Sequence, residues 1–245
     1  MEQIPGIKKI REVRALCERS SARRKTGLFV TEGERICAEI PGEDVKAVFM
    51  SESYRKQHPD ARCDYLLKDP EFNKLADTKH PQGILAVVKQ KVCRLEDLLA
   101  GEKYMILETL QDPGNLGTIL RTAEAAGISA VIMNKGCADI YSPKVVRSTM
   151  GSIFRVPFVY VEDLAFAVNK LRESGITVYA ADINGEDIYA AKLAEKRAFI
   201  IGNEGNGLTE EAKKLADKVI SIPMAGKVES QNAAVSAALL MYARI

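Results

Sequence analysis

The strongest structural constraint in this chain is Ile222-Pro223-Met224-Ala225-Gly226-Lys227-Val228-Glu229-Ser230-Gln231-Asn232, which leads directly into the apolar residues 233–242. A strand end that breaks at Pro223 and Gly226, followed by Ser and Asn before an apolar run, predicts a strand, a turn and a capped helix. Such a turn places backbone N–H groups and two polar side chains beside one crevice. The stretch therefore predicts a site for a small polar ligand, although a helix cap by Ser230 or Asn232 alone also explains it.

The composition predicts a folded, soluble protein. The chain has 245 residues, of which 47% are apolar, enough for one large domain or two modest ones. Its longest nearly apolar run, residues 233–243, is too short to span a bilayer and contains Ser236. The N-terminus is charged from Lys8 onward, unlike a signal peptide. We expect a protein without membrane association.

The cysteines indicate a reducing compartment and no metal site. They number five, at irregular intervals without a C-x-x-C pair, and only two histidines accompany them. Buried, reduced thiols explain this pattern better than zinc ligands do. We therefore expect a cytoplasmic protein that needs no metal.

Positive charge is concentrated at the start of the chain. Residues 1–30 contain eight Lys or Arg against three Glu, a balance of +5, so the total of +2 leaves −3 for the remaining 215 residues. A helix and the loop after it would bring these cations against a nucleic-acid backbone, although a solvated charged face is the simpler account of the charges taken alone. The basic residues are Lys8, Lys9, Arg11, Arg14, Arg19, Arg23, Arg24 and Lys25.

Alternating apolar strands and helical patterns predict an α/β fold in two domains. The first half predicts a small α/β unit, residues 1–95, and a weakly periodic charged segment at residues 89–97 suggests the linker. Beyond it, residues 103–245 show a regular strand and helix alternation, which predicts a mostly parallel sheet covered on both faces.

A second motif follows the predicted strand 104–107. Residues 108–115 are Glu-Thr-Leu-Gln-Asp-Pro-Gly-Asn, and they precede a helix predicted over residues 119–126. This is the arrangement that α/β sheets use for sites at strand carboxyl ends. Asn115 is also explained as a helix cap. Arg121, however, lies among apolar residues in the sequence, where we expect a guanidinium only if it reaches an anion such as phosphate.

A third motif, Gly202-Asn203-Glu204-Gly205-Asn206-Gly207-Leu208, follows the predicted strand 198–201. Its glycines match neither the dinucleotide fingerprint nor the Walker A loop, which disfavours a dehydrogenase or an ATPase. A tight turn explains the glycines but not Glu204 among them. Three such motifs, each at the end of a predicted strand, favour one shared site.

Together the motifs resemble those of the SpoU/TrmH family of RNA ribose methyltransferases. The resemblance is carried by Asn-x-Gly-x-x-x-Arg at 115–121, Gly-Asn-Glu-x-x-Gly-Leu at 202–208 and Ile-Pro-Met-x-Gly-x-x-x-Ser-x-Asn at 222–232. It covers residues 104–245, and the preceding unit is similar to the family's accessory RNA-binding domain, with a fold like that of certain ribosomal proteins. One departure is Gln231, where the family usually has Leu.

The resemblance implies a fold, a cofactor and a set of site residues. The fold would be a parallel α/β sheet with a deep trefoil knot, the cofactor S-adenosylmethionine, and the active site completed across a homodimer. Cofactor-binding residues would be Gly202, Ile222, Gln231, Thr109 and Met224. The catalytic and structural polar set would be Asn115, Arg121, Glu204, Ser230 and Asn232.

The implied reaction is methylation of a ribose 2′-hydroxyl in structured RNA. Positioning does most of the work, because a sulfonium is an excellent leaving group. Arginine is a poor base, with a pKa above about 12, so we assign Arg121 to the adjacent phosphate and to the developing alkoxide, and the proton acceptor stays open. Ribosomal RNA is the favoured substrate, with transfer RNA as the alternative. An inactive RNA-binding protein or a base methyltransferase of the same fold would be the remaining interpretations.

Overall fold

The computed structural model describes residues 2–228 and 230–243. The chain forms two compact units, which we call unit 1 (Met1–Lys91 and Asp139–Phe154) and unit 2 (Val92–Ala138 and Arg155–Ile245). No described helix has both the length and the apolar character needed to cross a membrane.

The helices and strands alternate along the chain as the sequence predicts. The α-helices are α1 (Ile7–Glu18), α2 (Ser20–Thr26), α3 (Glu34–Ala38), α4 (Glu52–Gln57), α5 (Asp69–Leu75), α6 (Pro113–Ala125), α7 (Pro143–Ser148), α8 (Leu164–Glu173), α9 (Glu210–Leu215) and α10 (Ala233–Met241). The strands are β1 (Leu28–Glu32), β2 (Val45–Ser51), β3 (Tyr65–Leu67), β4 (Ile84–Lys89), β5 (Lys103–Leu107), β6 (Ala130–Asn134), β7 (Phe158–Val161), β8 (Thr177–Asp187), β9 (Arg197–Ile201) and β10 (Lys218–Ser221).

Unit 1 contains a four-stranded mixed sheet in the order β1-β4-β2-β3. Strand β4 is antiparallel to both β1 and β2, whereas β2 and β3 run parallel. The apolar stripe of α1 packs on this sheet: Val13 and Leu16 are buried in one cluster with Phe49, Phe72 and Leu85. The N-terminal helix is therefore part of the core of unit 1.

Unit 1 also includes a segment from the second half of the chain. The guanidinium of Arg23, almost completely buried, pairs with Asp139 at 2.7 Å. The ring of Phe29 lies 4.7 Å from that of Tyr141 and 6.3 Å from that of Phe154. The predicted division at residues 1–95 and 103–245 differs here, because a pattern of alternating elements does not show which core a short segment joins.

Unit 2 contains a six-stranded sheet in the order β10-β8-β9-β5-β6-β7, and every strand pair in it is parallel. The inner strands β5, β6 and β9 are nearly continuous apolar runs because both of their faces are covered. Helix α8 contributes Val168 and Leu171 to one cluster with Ile106, Ile132 and Ile200 of the sheet. The prediction of a parallel α/β sheet is confirmed.

Strand β8 departs from regular pairing where it borders β10. Val219 pairs with Ala180, but the next residue, Ile220, pairs with Glu186. The intervening part of β8 therefore leaves the sheet and rejoins it. Gly185 fits against β10 only because it has no side chain, since a Cβ there would lie 2.4 Å from the carbonyl carbon of Ile220. The sequence predicts only a short strand, residues 177–181, without this excursion.

Candidate active site

The three motif loops of unit 2 follow strands β5, β9 and β10, as the sequence predicts. Numbered in chain order, the first motif loop begins at Glu108, the second at Gly202 and the third at Ile222. Because all strands of this sheet are parallel, their carboxyl ends meet at one edge. Strands β5 and β9 are neighbours, and β8 alone separates β9 from β10. The fold thus brings three segments that are distant in sequence to one place.

The first motif loop ends at a helix cap that is not Asn115. The Oδ1 atom of Asp112 accepts a hydrogen bond from the N–H of Asn115 at 2.7 Å, and Pro113 occupies the first turn of α6. Helix α6 therefore begins at Pro113, earlier than the predicted start at residue 119. Interpreting Asn115 as the cap is wrong, and its side chain reaches the other loops instead.

Glu204 connects the second motif loop to the first by hydrogen bonds. Its carboxylate accepts hydrogen bonds from the N–H groups of Gln111 at 3.2 Å and Asp112 at 3.0 Å, and from Nδ2 of Asn115 at 3.2 Å. Burial by itself raises the pKa of Glu204, but these donors outweigh it and hold the pKa below its ordinary value. The group is therefore a carboxylate at neutral pH, and it accepts hydrogen bonds without donating any.

Asn115 and Asn232 continue this contact to the third motif loop. Nδ2 of Asn232 donates to Oδ1 of Asn115 at 2.9 Å. The Oδ1 atom of Asn232 accepts from the N–H groups of Ala234 at 2.9 Å and Val235 at 3.3 Å, which caps α10. The predicted cap by Asn232 is thus present, and it has a second partner.

The hydrogen bonds between Glu204, Asn115 and Asn232 have one possible direction; we call these three residues the polar relay. A carboxylate at one end only accepts, and helix N–H groups at the other end only donate. These two ends fix which atom of each side-chain amide is the oxygen and which is the nitrogen, for Asn115 and for Asn232. The relay therefore specifies how the three motif loops meet.

A cavity lies beside the relay and is lined by residues of the second and third motif loops. Its walls include Gly202, Glu204, Ile222, Met224, Ser230 and Gln231. Apolar side chains, glycine backbone and a few polar side chains line it, which suits a small ligand with both apolar and polar parts. Of the predicted cofactor residues, four line this cavity, and Thr109 does not lie among its described walls.

The glycine loop of the cavity is closed tightly on itself. Asn203 and Gly207 exchange backbone hydrogen bonds at 3.0 and 2.9 Å. A Cβ at Gly202 would lie 2.1 Å from the carbonyl oxygen of Gly207, so only glycine fits there. Asn203 Oδ1 also accepts from the N–H of Gly205 at 2.9 Å. This side chain shapes the loop, a role that its place in the glycine motif does not reveal.

Asp182 is a polar wall of the cavity that sequence reasoning missed. It lies in the excursion of β8, and its carboxylate pairs with Lys213 at 2.6 Å. Burial raises its pKa, but the hydrogen bond from Lys213 and further donors from Asn184 lower it below the ordinary value. No local signal marks the position, because it depends on the pairing of β8 with β10.

Arg121 lies apart from the relay. It is six residues after Asn115, a rotation of about 120° around the helix, and its side chain is exposed. Its apolar neighbours in the sequence do not enclose it, because Ile119, Leu120 and Ala123 face the core while Arg121 faces outward. Among the described residues its guanidinium has no ion pair, and it is not a wall of the cavity.

These features define a class: an α/β enzyme that binds a small ligand at the carboxyl edge of a parallel sheet, between loops held by a polar relay. Residues 102–242 match the SpoU rRNA Methylase family, and residues 8–86 match the MRM3-like substrate binding domain. The chain belongs to the SpoU rRNA methylase family. The prediction of a SpoU/TrmH methyltransferase is confirmed.

Similar proteins cover nearly the whole chain. The 23S rRNA (guanosine(2553)-2'-O)-methyltransferase RlmP of Bacillus subtilis is 35% identical over 99% of this chain and 98% of its own length. The AdoMet-bound rRNA methyltransferase of Sinorhizobium meliloti superposes with a TM-score of 0.85 at 26% identity, over 99% of this chain and 96% of its own. AviRb of Streptomyces viridochromogenes, in complex with AdoMet, gives 0.84 at 26% identity, over 97% and 96%. The prediction of S-adenosylmethionine as cofactor is confirmed.

Proposed function

We propose that this enzyme transfers the methyl group of S-adenosylmethionine to the ribose 2′-hydroxyl of a guanosine in 23S rRNA. The observation that carries the proposal is the polar relay, which joins the three motif loops beside a cavity. The target nucleotide is inferred from the similarity to RlmP, which is named for that reaction. An rRNA substrate would place the enzyme in the cytoplasm.

The cofactor supplies an electrophilic methyl group on a sulfonium centre. Gly202, Ile222, Met224 and Gln231 would hold it, mainly through the loop backbone, with apolar contacts from Ile222 and Met224. Gln231 replaces the usual leucine without closing the cavity, since it is exposed at the wall. The relay keeps these loops in their relative positions, and Ser230 lines the same cavity.

Arg121 would act on the RNA and not on the cofactor. Its exposed guanidinium offers a planar fork of donors that matches a phosphate. Bound to the phosphate next to the target ribose, it would orient the 2′-oxygen and stabilise the negative charge that develops there. The absence of a partner within the described residues leaves it available for this contact.

Methylation of RNA with labelled S-adenosylmethionine tests the proposed function. We expect one labelled nucleotide in 23S rRNA, with the methyl group on the ribose of a guanosine after digestion to nucleosides. A label on transfer RNA and not on 23S rRNA would identify transfer RNA as the substrate. A label on a base would overturn the ribose assignment. Cofactor binding without transfer to any RNA would indicate an inactive RNA-binding protein.

A homodimer is the second part of the proposal. Helix α10 is apolar on every side apart from Ser236, a pattern typical of a helix that becomes buried. Val235 and Tyr242 are each 50% exposed, and an apolar hollow lined by Tyr189, Leu239 and Tyr242 lies beside them. Helix α6 packs against α10. A second copy on this surface would bury α10 and bring a second Arg121 towards the first cavity.

Aspartate at Leu239 and Tyr242 should separate the proposed dimer. We expect the wild type to sediment as a dimer and the variant Leu239→Asp/Tyr242→Asp as a monomer, because each charge would be buried in an apolar interface. The matched control is Phe166→Asp, since Phe166 is 49% exposed on α8. Sedimentation velocity makes the comparison. A wild type that sediments as a monomer, or a variant that remains dimeric, contradicts this interface.

Unit 1 is proposed to bind the RNA substrate through its N-terminal cations. Lys8, Arg11, Arg19 and Arg24 are exposed. Arg23 differs: its guanidinium is buried and donates to the carbonyl of Leu16 at 2.7 Å as well as to Asp139. Removal of residues 1–26 would therefore damage the core of unit 1, so point substitutions are the appropriate test.

The triple variant Lys8→Ala/Arg11→Ala/Arg19→Ala should weaken RNA binding and reduce its salt dependence. For every phosphate that the variant no longer neutralises, the slope of log K against log [salt] becomes shallower by about 0.7–0.9. The matched control, Lys192→Ala/Lys196→Ala/Lys218→Ala, removes the same charge from exposed positions of unit 2. Fluorescence anisotropy between low and moderate salt gives both slopes. Equal slopes for the two variants would contradict the proposed RNA surface.

The trefoil knot is the remaining part of the proposal. After β10 at the edge of the sheet, the chain passes the cavity walls formed by Gly202 and Glu204, and α10 packs against α6. A chain that returns to the middle of the sheet in this way suits a threaded path. An experimental structure tests this part of the proposal. If the two ends of the traced backbone were pulled apart, a knot should remain, and a backbone without a knot would refute the proposal.

A further inference from the structure

Thr109 has a backbone conformation that is unusual for its residue type. Its φ is 55°, in the left-handed region, where β-branched side chains are strongly disfavoured. The only other described non-glycine residue with positive φ is Met150. Such conformations persist when surrounding contacts over-determine them, and they cluster at functional sites. Thr109 directly precedes the loop that Glu204 binds.

Two asparagine side chains occupy every polar group of Thr109. Asn134 Oδ1 accepts from the N–H of Thr109 at 2.8 Å, and Asn134 Nδ2 donates to its Oγ1 at 3.0 Å. Asn203 Nδ2 donates to its carbonyl oxygen at 3.0 Å. Gly136 provides space on the remaining side, because a Cβ there would lie 2.8 Å from Oγ1 of Thr109.

The loop that follows is fixed by this arrangement. The N–H of Leu110 contacts Sγ of Cys137 at 3.3 Å, and the carbonyl of Leu110 accepts from the N–H of Ala138 at 2.8 Å. The next two N–H groups, of Gln111 and Asp112, then point at Glu204. A different φ at Thr109 would turn both N–H groups away from Glu204. The carboxylate of Glu204 would then no longer hold the first motif loop.

We propose that Asn134 is a positioning residue for methyl transfer. It fixes Thr109 in the left-handed conformation. Through Thr109 it orients the N–H groups of the first motif loop towards the carboxylate of Glu204. Asn134 is neither a member of the relay nor a described wall of the cavity beside it. This inference rests on the proposed function, and it assigns Thr109 to loop geometry, not to cofactor contact.

The test compares Asn134→Ala with Asn134→Ala/Thr109→Gly. We expect Asn134→Ala to lower kcat by about 10- to 100-fold, with the S-adenosylmethionine dissociation constant and the KM for RNA within about threefold of wild type, because a small misplacement of catalytic loops has effects of this size. Glycine adopts the left-handed conformation without steric cost. The double variant should therefore recover most of the lost kcat.

Asn169→Ala, on the exposed face of α8 in the same unit, is the matched control and should retain full activity. Full activity of Asn134→Ala, or a double variant no better than it, overturns the inference. If Asn134→Ala does not fold, a folded and active double variant supports it, and a double variant that also fails overturns it. An inactive wild type would instead refute the proposed function, so the two failures are distinguishable.

Discussion

Arg121→Ala is expected to lower kcat by about 1,000-fold while the dissociation constant for S-adenosylmethionine stays within about threefold of the wild-type value. The reason is the position of Arg121: it is exposed on α6 and is not a described wall of the cofactor cavity. Single-turnover transfer of a labelled methyl group gives the rate, and calorimetry gives the cofactor affinity. Arg121→Lys should recover part of the rate, because it keeps the charge but not the bidentate fork.

Thr118→Ala is the control for this prediction, since Thr118 is exposed one turn earlier on the same helix. It should leave kcat unchanged. A loss of cofactor affinity in Arg121→Ala would place Arg121 in the donor site and contradict its assignment to RNA. Unchanged kcat would remove it from the chemistry altogether.

A mixing experiment determines whether Arg121 serves its own cavity or that of a second copy. Met224→Trp should fill the cavity and prevent cofactor binding, while its Arg121 stays intact. Equal mixing of Met224→Trp with Arg121→Ala gives half mixed dimers. If Arg121 acts across the interface, each mixed dimer has one complete site, and activity returns to about a quarter of the wild type. No recovery would mean that Arg121 acts within its own chain.

The local signals in the sequence predict where the motif loops begin. Strands β5, β9 and β10 end at Leu107, Ile201 and Ser221, where apolar runs give way to segments that contain Pro or Gly. The cap by Asn232 is likewise predictable, because an Asn before an apolar helix satisfies the first N–H groups. Sequence also supports a shared site, since parallel strands place all carboxyl ends on one edge.

Features that depend on distant pairing or on helix rotation could not be predicted in this way. Asp182 enters the cavity because β8 changes its register against β10, which comes much later in the chain. The positioning contacts of Asn134 depend on β6 lying beside β5. The exposure of Arg121 could not be read from its apolar neighbours in the sequence, because residues adjacent in a helix differ by about 100° in direction. The alternative explanation of Asn115 as a helix cap is excluded because Asp112-Pro113 is the stronger start signal.

Substitutions at Asn232 should separate helix capping from the polar relay, because its two amide atoms serve different partners. Its Oδ1 caps α10, and its Nδ2 donates to Asn115. Asn232→Asp keeps an acceptor that caps a helix as well as Asn does. It removes the donor, however, and places an oxygen against Oδ1 of Asn115. That amide has no favourable flipped orientation, because its Nδ2 faces the carboxylate of Glu204.

We therefore expect Asn232→Asp to lower kcat by about 10- to 100-fold with a Tm within about 2 °C of the wild type, whereas Asn232→Ala lowers kcat and also reduces Tm by about 2–4 °C. Asp163→Ala is the control: it removes the cap of α8, an acceptor 2.8 Å from the N–H of Ala165, which has no part in the relay. It should lower Tm by a similar amount and leave kcat unchanged. Thermal unfolding and steady-state kinetics on the three variants provide both readouts. Wild-type activity in Asn232→Asp would show that Asn232 acts only as a cap, and the relay would then have no part in catalysis.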